Sequence, residues 1–230
     1  MLITRSRVHV GMRQVHVGRR SAVALVATVV ALVFAGVALA NEVGNYQWDS
    51  NYGTRATVAV SSFSPSTNCI ASASYVTSTD SNRQLQIGQL LCASGYGVDG
   101  TCSLSNNFIL YVERIPATGS AVCYPHGSAS GSYLLTVDDS AGSGTFYTYA
   151  SGTQYEGQSG YDSSRFFSEG SEYTGSSCSG WSGSTSFSGW QYYNLALNQW
   201  QYVTSPVGPS AQCWSVSSYN GTSHSFTVSH

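Results

Sequence analysis

Lysine is absent from all 230 residues, and charged residues of both signs make up only 9% of the chain. Five of the nine arginines lie before residue 21: Arg5, Arg7, Arg13, Arg19 and Arg20. Beyond residue 40 only Arg55, Arg83, Arg114 and Arg165 remain, against eleven carboxylates, a formal charge of −7. Such a chain has no basic cluster for a nucleic-acid backbone or an anionic membrane, so neither is expected as a partner. Amphipathic helical periodicity is also missing after residue 40, which excludes a helix-rich domain. Metal-ligand spacings of the Cys-x-x-Cys or paired-His kind do not occur, and no metal or cofactor is expected.

What is present begins with a leader. The basic stretch "MLITRSRVHVGMRQVHVGRR" is followed by the apolar run "SAVALVATVVALVFAGVALA", which ends in the small-x-small site Ala38-Leu39-Ala40. This order of features predicts a secretory signal peptide over residues 1–40, with Met12 as a second possible start. A retained membrane anchor is the competing reading of the same run. Cleavage would release residues 41–230 as one secreted domain without membrane association, read here as a monomer. The low charge density predicts tolerance of acid. Protonating the carboxylates leaves few cations to repel one another.

All six cysteines, Cys69, Cys92, Cys102, Cys123, Cys178 and Cys213, follow the leader. An even count in an exported chain predicts disulfides, and the most local pairing suggests Cys92–Cys102. Short alternating runs such as "TRATVAVSSF", "QLQIGQLL", "NFILYVERI", "SYLLTVDD" and "TFYTYA" are separated by Gly, Ser, Asn and Asp. They predict antiparallel strands in an all-β, two-sheet jelly-roll sandwich. "DDSAGSG" at 138–144 reads as a hairpin turn. Trp181, Phe187 and Trp190 mark the Gly/Ser-rich stretch 168–189 as ordered. The sixteen tyrosines fit strands and sheet edges, where they could also make a platform for sugars or extended peptides.

Catalytic candidates are few. "GSASG" at 127–131 has Ala129 where a serine nucleophile would stand, and the cysteines are expected to pair. Carboxylates remain. In "RQLQIGQLL", alternation places Leu85, Ile87 and Leu91 toward a core and Gln84, Gln86, Gly88 and Leu90 on the opposite face. Glu113 shares a face with Ile109, Tyr111 and Ile115, where partial desolvation would raise its pKa. Glu172, in "SEGSEYTG", has Gly170 and Thr174 as neighbours on its face, and Glu169 points the other way.

The ordered series "LQIGQ", "YVERIP", "SYLLTVDD", "SEYTG" and "FSGWQYYN" resembles the glutamic peptidases of the eqolisin family and the related neprosin-like proteins. The resemblance implies a concanavalin-like jelly roll, a secreted acid endopeptidase and a polypeptide substrate. Catalytic roles carry over to Gln86 and Glu172, with Glu113 matching the carboxylate of the strand between them. Glu113 would line the groove or tune Glu172, and Gly88, Tyr111 and Tyr173 would likewise line or modulate the groove. Gln86 would stabilise the oxyanion while Glu172 exchanges protons with water and leaving amine. Neprosin-like proteins carry a glutamate where Gln86 stands. The chain departs from the eqolisin pattern in having Ser176 at a usually acidic position, and Val112 and Arg114 where tryptophans flank the carboxylate. Two further readings compete: a two-carboxylate glycoside hydrolase using Glu113 and Glu172, and a non-catalytic lectin-like or surface-interaction jelly roll acting on a glycan or another surface.

Overall fold

Strands separated by turn residues organise nearly all of the chain that can be described. The computed structural model describes residues 41–48, 52–78, 83–98, 102–103, 107–161, 165–174, 179–204 and 213–230. Among them there is no helix, and every strand pairing is antiparallel. All of these residues belong to one unit, Leu39–His230.

The first sheet has six strands. These are β1 (Asn41–Trp48), β13 (Arg165–Tyr173), β4 (Cys69–Ser78), β5 (Gln84–Cys92), β8 (Ile109–Ile115) and β9 (Val122–Ser128), hydrogen-bonded in that order. The second sheet runs β12 (Thr153–Ser159), β11 (Thr145–Ala150), β10 (Tyr133–Asp138), β2 (Gly53–Val58), β15 (Ser184–Asn194), β18 (Phe226–Ser229) and β17 (Ser215–Val216). Strand β16 (Gln199–Tyr202) pairs with β15 beside β18. Two small ribbons complete the set: β3 (Ser64–Pro65) with β14 (Trp181–Ser182), and β6 (Gly97–Val98) with β7 (Cys102–Ser103).

The inner faces of the two large sheets meet in one core. Ile70, Val76, Leu85, Ile87, Val112 and Phe167 from the first sheet pack with Ala56, Val58, Leu135, Val137, Phe146, Phe187, Trp190, Phe226 and Val228 from the second. Each large apolar side chain in it contributes about 1.5–3 kcal/mol by leaving water. The alternation in "QLQIGQLL" is therefore realised as predicted, with Leu85 and Ile87 fully buried in this layer. The turn at 138–144 joins β10 to β11. The Asp139 carboxylate holds it by accepting hydrogen bonds from the backbone N–H and the hydroxyl of Ser143 and from the Gly144 N–H.

The disulfides differ from the local pairing that the sequence suggested. Cys69 bonds to Cys92 and Cys102 to Cys123, so Cys92 and Cys102 are not partners. The physical reason is register. Cys69 and Cys92 face each other across the β4–β5 ladder, whereas Cys102 ties the β6–β7 ribbon to β9. Cys213 is also disulfide-bonded, and Cys178 lies outside the described residues.

Candidate active site on the outer face of the six-stranded sheet

Ladder register decides which candidates can meet. One row across the first sheet runs Tyr46, Ser168, Tyr75, Gln86, Glu113 and Cys123, from β1 to β9. Gln86 and Glu113 thus stand directly opposite each other on neighbouring strands, pointing away from the inter-sheet core. The Gln86 Nε2 donates a hydrogen bond to Glu113 Oε2. Gln84, two residues back on the same face, donates from its Nε2 to Gln86 Oε1 at 3.1 Å. A chain of three side chains results, in which each amide N–H points toward the carboxylate end. Gln86 is 3% exposed and Glu113 7% exposed, so the interaction sits in a medium that strengthens it.

Tyr75 flanks Gln86 on the other side and is 2% exposed. Its hydroxyl is buried with no hydrogen-bond partner among the described residues. Sequence reasoning missed this residue because "CIASASYVTS" is dominated by small side chains and lacks the apolar alternation of a strand. It becomes legible only when β4 is placed between β5 and β13.

Glu172 shares this face but not this row. It stands opposite Ala71 in β4, which in turn faces Leu90 in β5. Gln86 and Glu172 are therefore separated by four residues along the strands, about 13 Å, and two strand spacings, about 10 Å. The structure brings Gln86 to Glu113 and leaves Glu172, half-buried, at another place on the same sheet face. From Glu113 the backbone offset to Glu172 is the same along the strand and three spacings across, about 14 Å. Paired carboxyls of a retaining glycosidase stand ~5–5.5 Å apart and those of an inverting one ~6.5–9.5 Å. The two-carboxylate reading does not fit this register.

Gly88 and Tyr111 face each other across β5 and β8. A Cβ on Gly88 would lie 2.4 Å from the Ser72 backbone oxygen, 2.7 Å from Ala73 Cβ and 2.9 Å from the Tyr111 ring. The missing side chain thus makes room for the close approach of β4 and for Tyr111, 1% exposed, and not for an open groove. Tyr173 points to the opposite side of its sheet, into the core, with its hydroxyl 2.9 Å from Thr67 Oγ1. Ser176 lies outside the described residues.

A second polar cluster lies between the sheets. Glu169 is completely buried, accepting from Thr54 Oγ1 at 2.8 Å and from Ser74 Oγ at 2.5 Å. Trp190 Nε1 in turn donates to Thr54 Oγ1 at 2.9 Å. Burial pushes the Glu169 carboxyl up to about 8, and the two hydroxyl donors only partly oppose this. The strand parity read from the sequence had Glu169 facing away from Glu172, and it does.

The fold is an antiparallel β-sandwich similar to that of glutamic peptidases. A scytalido-glutamic peptidase in complex with a transition state analog inhibitor is similar over 83% of this chain and 98% of its own, at 14% identity and a TM-score of 0.56. The same peptidase with a peptide-based transition state analog is similar over the same shares, at 15% identity and a TM-score of 0.53. No protein-family model matches the chain, and no curated protein does.

Proposed function

We propose that the chain is a secreted endopeptidase acting in acid, with Gln86 and Glu113 as its working pair. One observation carries this: an amide and a carboxylate, bonded side by side on the outer face of a glutamic-peptidase-like sheet. Glu113 would take a proton from water as the water oxygen attacks the peptide carbonyl, then return it to the departing amine. Gln86 has a second N–H to donate to the oxyanion, and a neutral amide avoids the repulsion that a carboxylate dyad must relieve by holding a proton. Tyr75 and Glu172, on β4 and β13 to the same side of the pair, are proposed to bind the polypeptide on that side of the reacting bond. Residues 1–40 would be the export signal, in keeping with the disulfides of the domain that follows.

A second reading is a jelly roll of this fold that has lost its chemistry. The register separation of Gln86 from Glu172 and the burial of Gln86 and Glu113 favour it. Hydrolysis of an unfolded protein between pH 2 and 7 separates the two. The proposal expects acid-optimal cleavage that Glu113→Gln abolishes and Glu172→Gln only weakens. Loss of cleavage in Glu172→Gln alone would move the base to Glu172. No cleavage by a folded wild-type protein would favour the non-catalytic reading.

A further inference from the structure

The outer face of the eight-stranded sheet, on the side of the sandwich away from Gln86 and Glu113, carries aromatic rings set among polar groups. One row runs Tyr149, Thr136, Arg55, Gln191 and Tyr202 across β11, β10, β2, β15 and β16. The adjoining row holds Tyr147, Asp138, Gly53, Tyr193 and Trp200. Tyr147 reaches over a glycine of the neighbouring strand β12, and Trp200 reaches across β15 to a glycine of β2. A Cβ on Gly157 would meet the Tyr147 ring at 2.7 Å, and one on Gly53 would meet the Trp200 ring at 2.9 Å. The Trp200 ring also packs edge-on with Tyr193, their centres 5.3 Å apart. Tyr147 is 39% exposed, and Tyr202, 50% exposed, is backed by the His224 ring stacked 4.1 Å from it.

The polar groups between the rings are held in place. Arg55 stacks its guanidinium 4.3 Å from the centre of the Trp200 ring and donates from Nε to Gln191 Oε1 at 2.7 Å. Asp138 Oδ1 is shielded from solvent and accepts no hydrogen bond among the described residues. The Asp138 carboxylate, between Tyr147 and the Trp200 ring, takes hydrogen bonds from the backbone and the hydroxyl of Ser140.

We propose that this face is a binding platform for an uncharged oligosaccharide. The apolar faces of sugar rings stack on Tyr147, Trp200 and Tyr202, and Arg55 and Gln191 take up ring hydroxyls. The four strand spacings from β11 to β16 span about 19 Å, the length of a short extended oligosaccharide. One cation beside one carboxylate gives the face little net charge, and the surplus of carboxylates after residue 40 disfavours acidic glycans. The site is independent of the proposed peptidase chemistry, which lies on the other sheet.

The test is isothermal titration of the purified protein with cellohexaose, laminarihexaose, xylohexaose and chitohexaose. Wild type is compared with Tyr147→Ala and Trp200→Ala, each checked for native near-ultraviolet circular dichroism. Saturable binding of at least one sugar, weakened tenfold or more by either variant, is the expected result. Should Trp200→Ala fail to fold, the exposed Tyr147 ring decides alone. Failure of all four sugars to bind overturns the proposal, as does equal binding by wild type and Tyr147→Ala. Binding of an unfolded polypeptide at this face in place of the sugars overturns it too.

Discussion

Glu113 and Glu169 are both buried glutamates, and their different partners give them different work. Glu113 takes an amide N–H on the outer face, from a residue with a second N–H still to donate. Glu169 takes two hydroxyls inside the core, where nothing else can reach it. Removing the Gln86 donor by Gln86→Ala is expected to lower kcat by about 100- to 1000-fold if that amide bears the oxyanion. Steady-state kinetics on an unfolded protein at acid pH would check this. For Glu169 the sign follows from linkage. Its carboxyl is raised to about 8 in the folded protein, so the native state holds a proton that the unfolded chain releases near its ordinary value of 4.5. Its contribution to stability is whole below that ordinary value, falls as pH rises, and is lost once pH passes about 8. Urea unfolding midpoints are expected to drop between pH 4.5 and 8 in wild type and to drop much less in Glu169→Gln.

At the scale of strands and loops, the sequence showed more of the fold than of the site. The alternation of "QLQIGQLL" put Gln86 opposite the core, and that of "YVERI" grouped Glu113 with Ile109, Tyr111 and Ile115, because period two belongs to the local chain. It could not show that their rows coincide. Pairing of β5 with β8 is a long-range fact set by the packing of two sheets. For the same reason the expected partnership of Gln86 and Glu172 rested on resemblance, while register places Glu172 two rows away. The disulfides show this limit again, since the nearest cysteines in sequence are not partners. Two expectations belong here. Gly88→Ala would drive a methyl against Ala73 and the Tyr111 ring, and a loss of about 1–3 kcal/mol is expected in denaturant titration. Replacing Cys102 and Cys123 by alanine removes a link that closes 21 residues, and a loss of about 3 kcal/mol is expected by the same method.

For the whole molecule, the scarcity of charge and the two-sided use of the sandwich belong together. With four arginines after residue 40, neutralising the carboxylates adds little repulsion, and far-ultraviolet circular dichroism is expected to stay native from pH 5 down to pH 3. One sheet offers an amide–carboxylate pair, the other an aromatic face, and a shared core holds both. The most direct test of the central claim is a crystal structure at acid pH with a peptide that mimics the tetrahedral intermediate. The account expects the tetrahedral oxygens to lie within hydrogen-bonding distance of Gln86 Nε2 and the Glu113 carboxyl. A peptide bound over Glu172 with Gln86 and Glu113 untouched, or no binding at all by the folded protein, would contradict it.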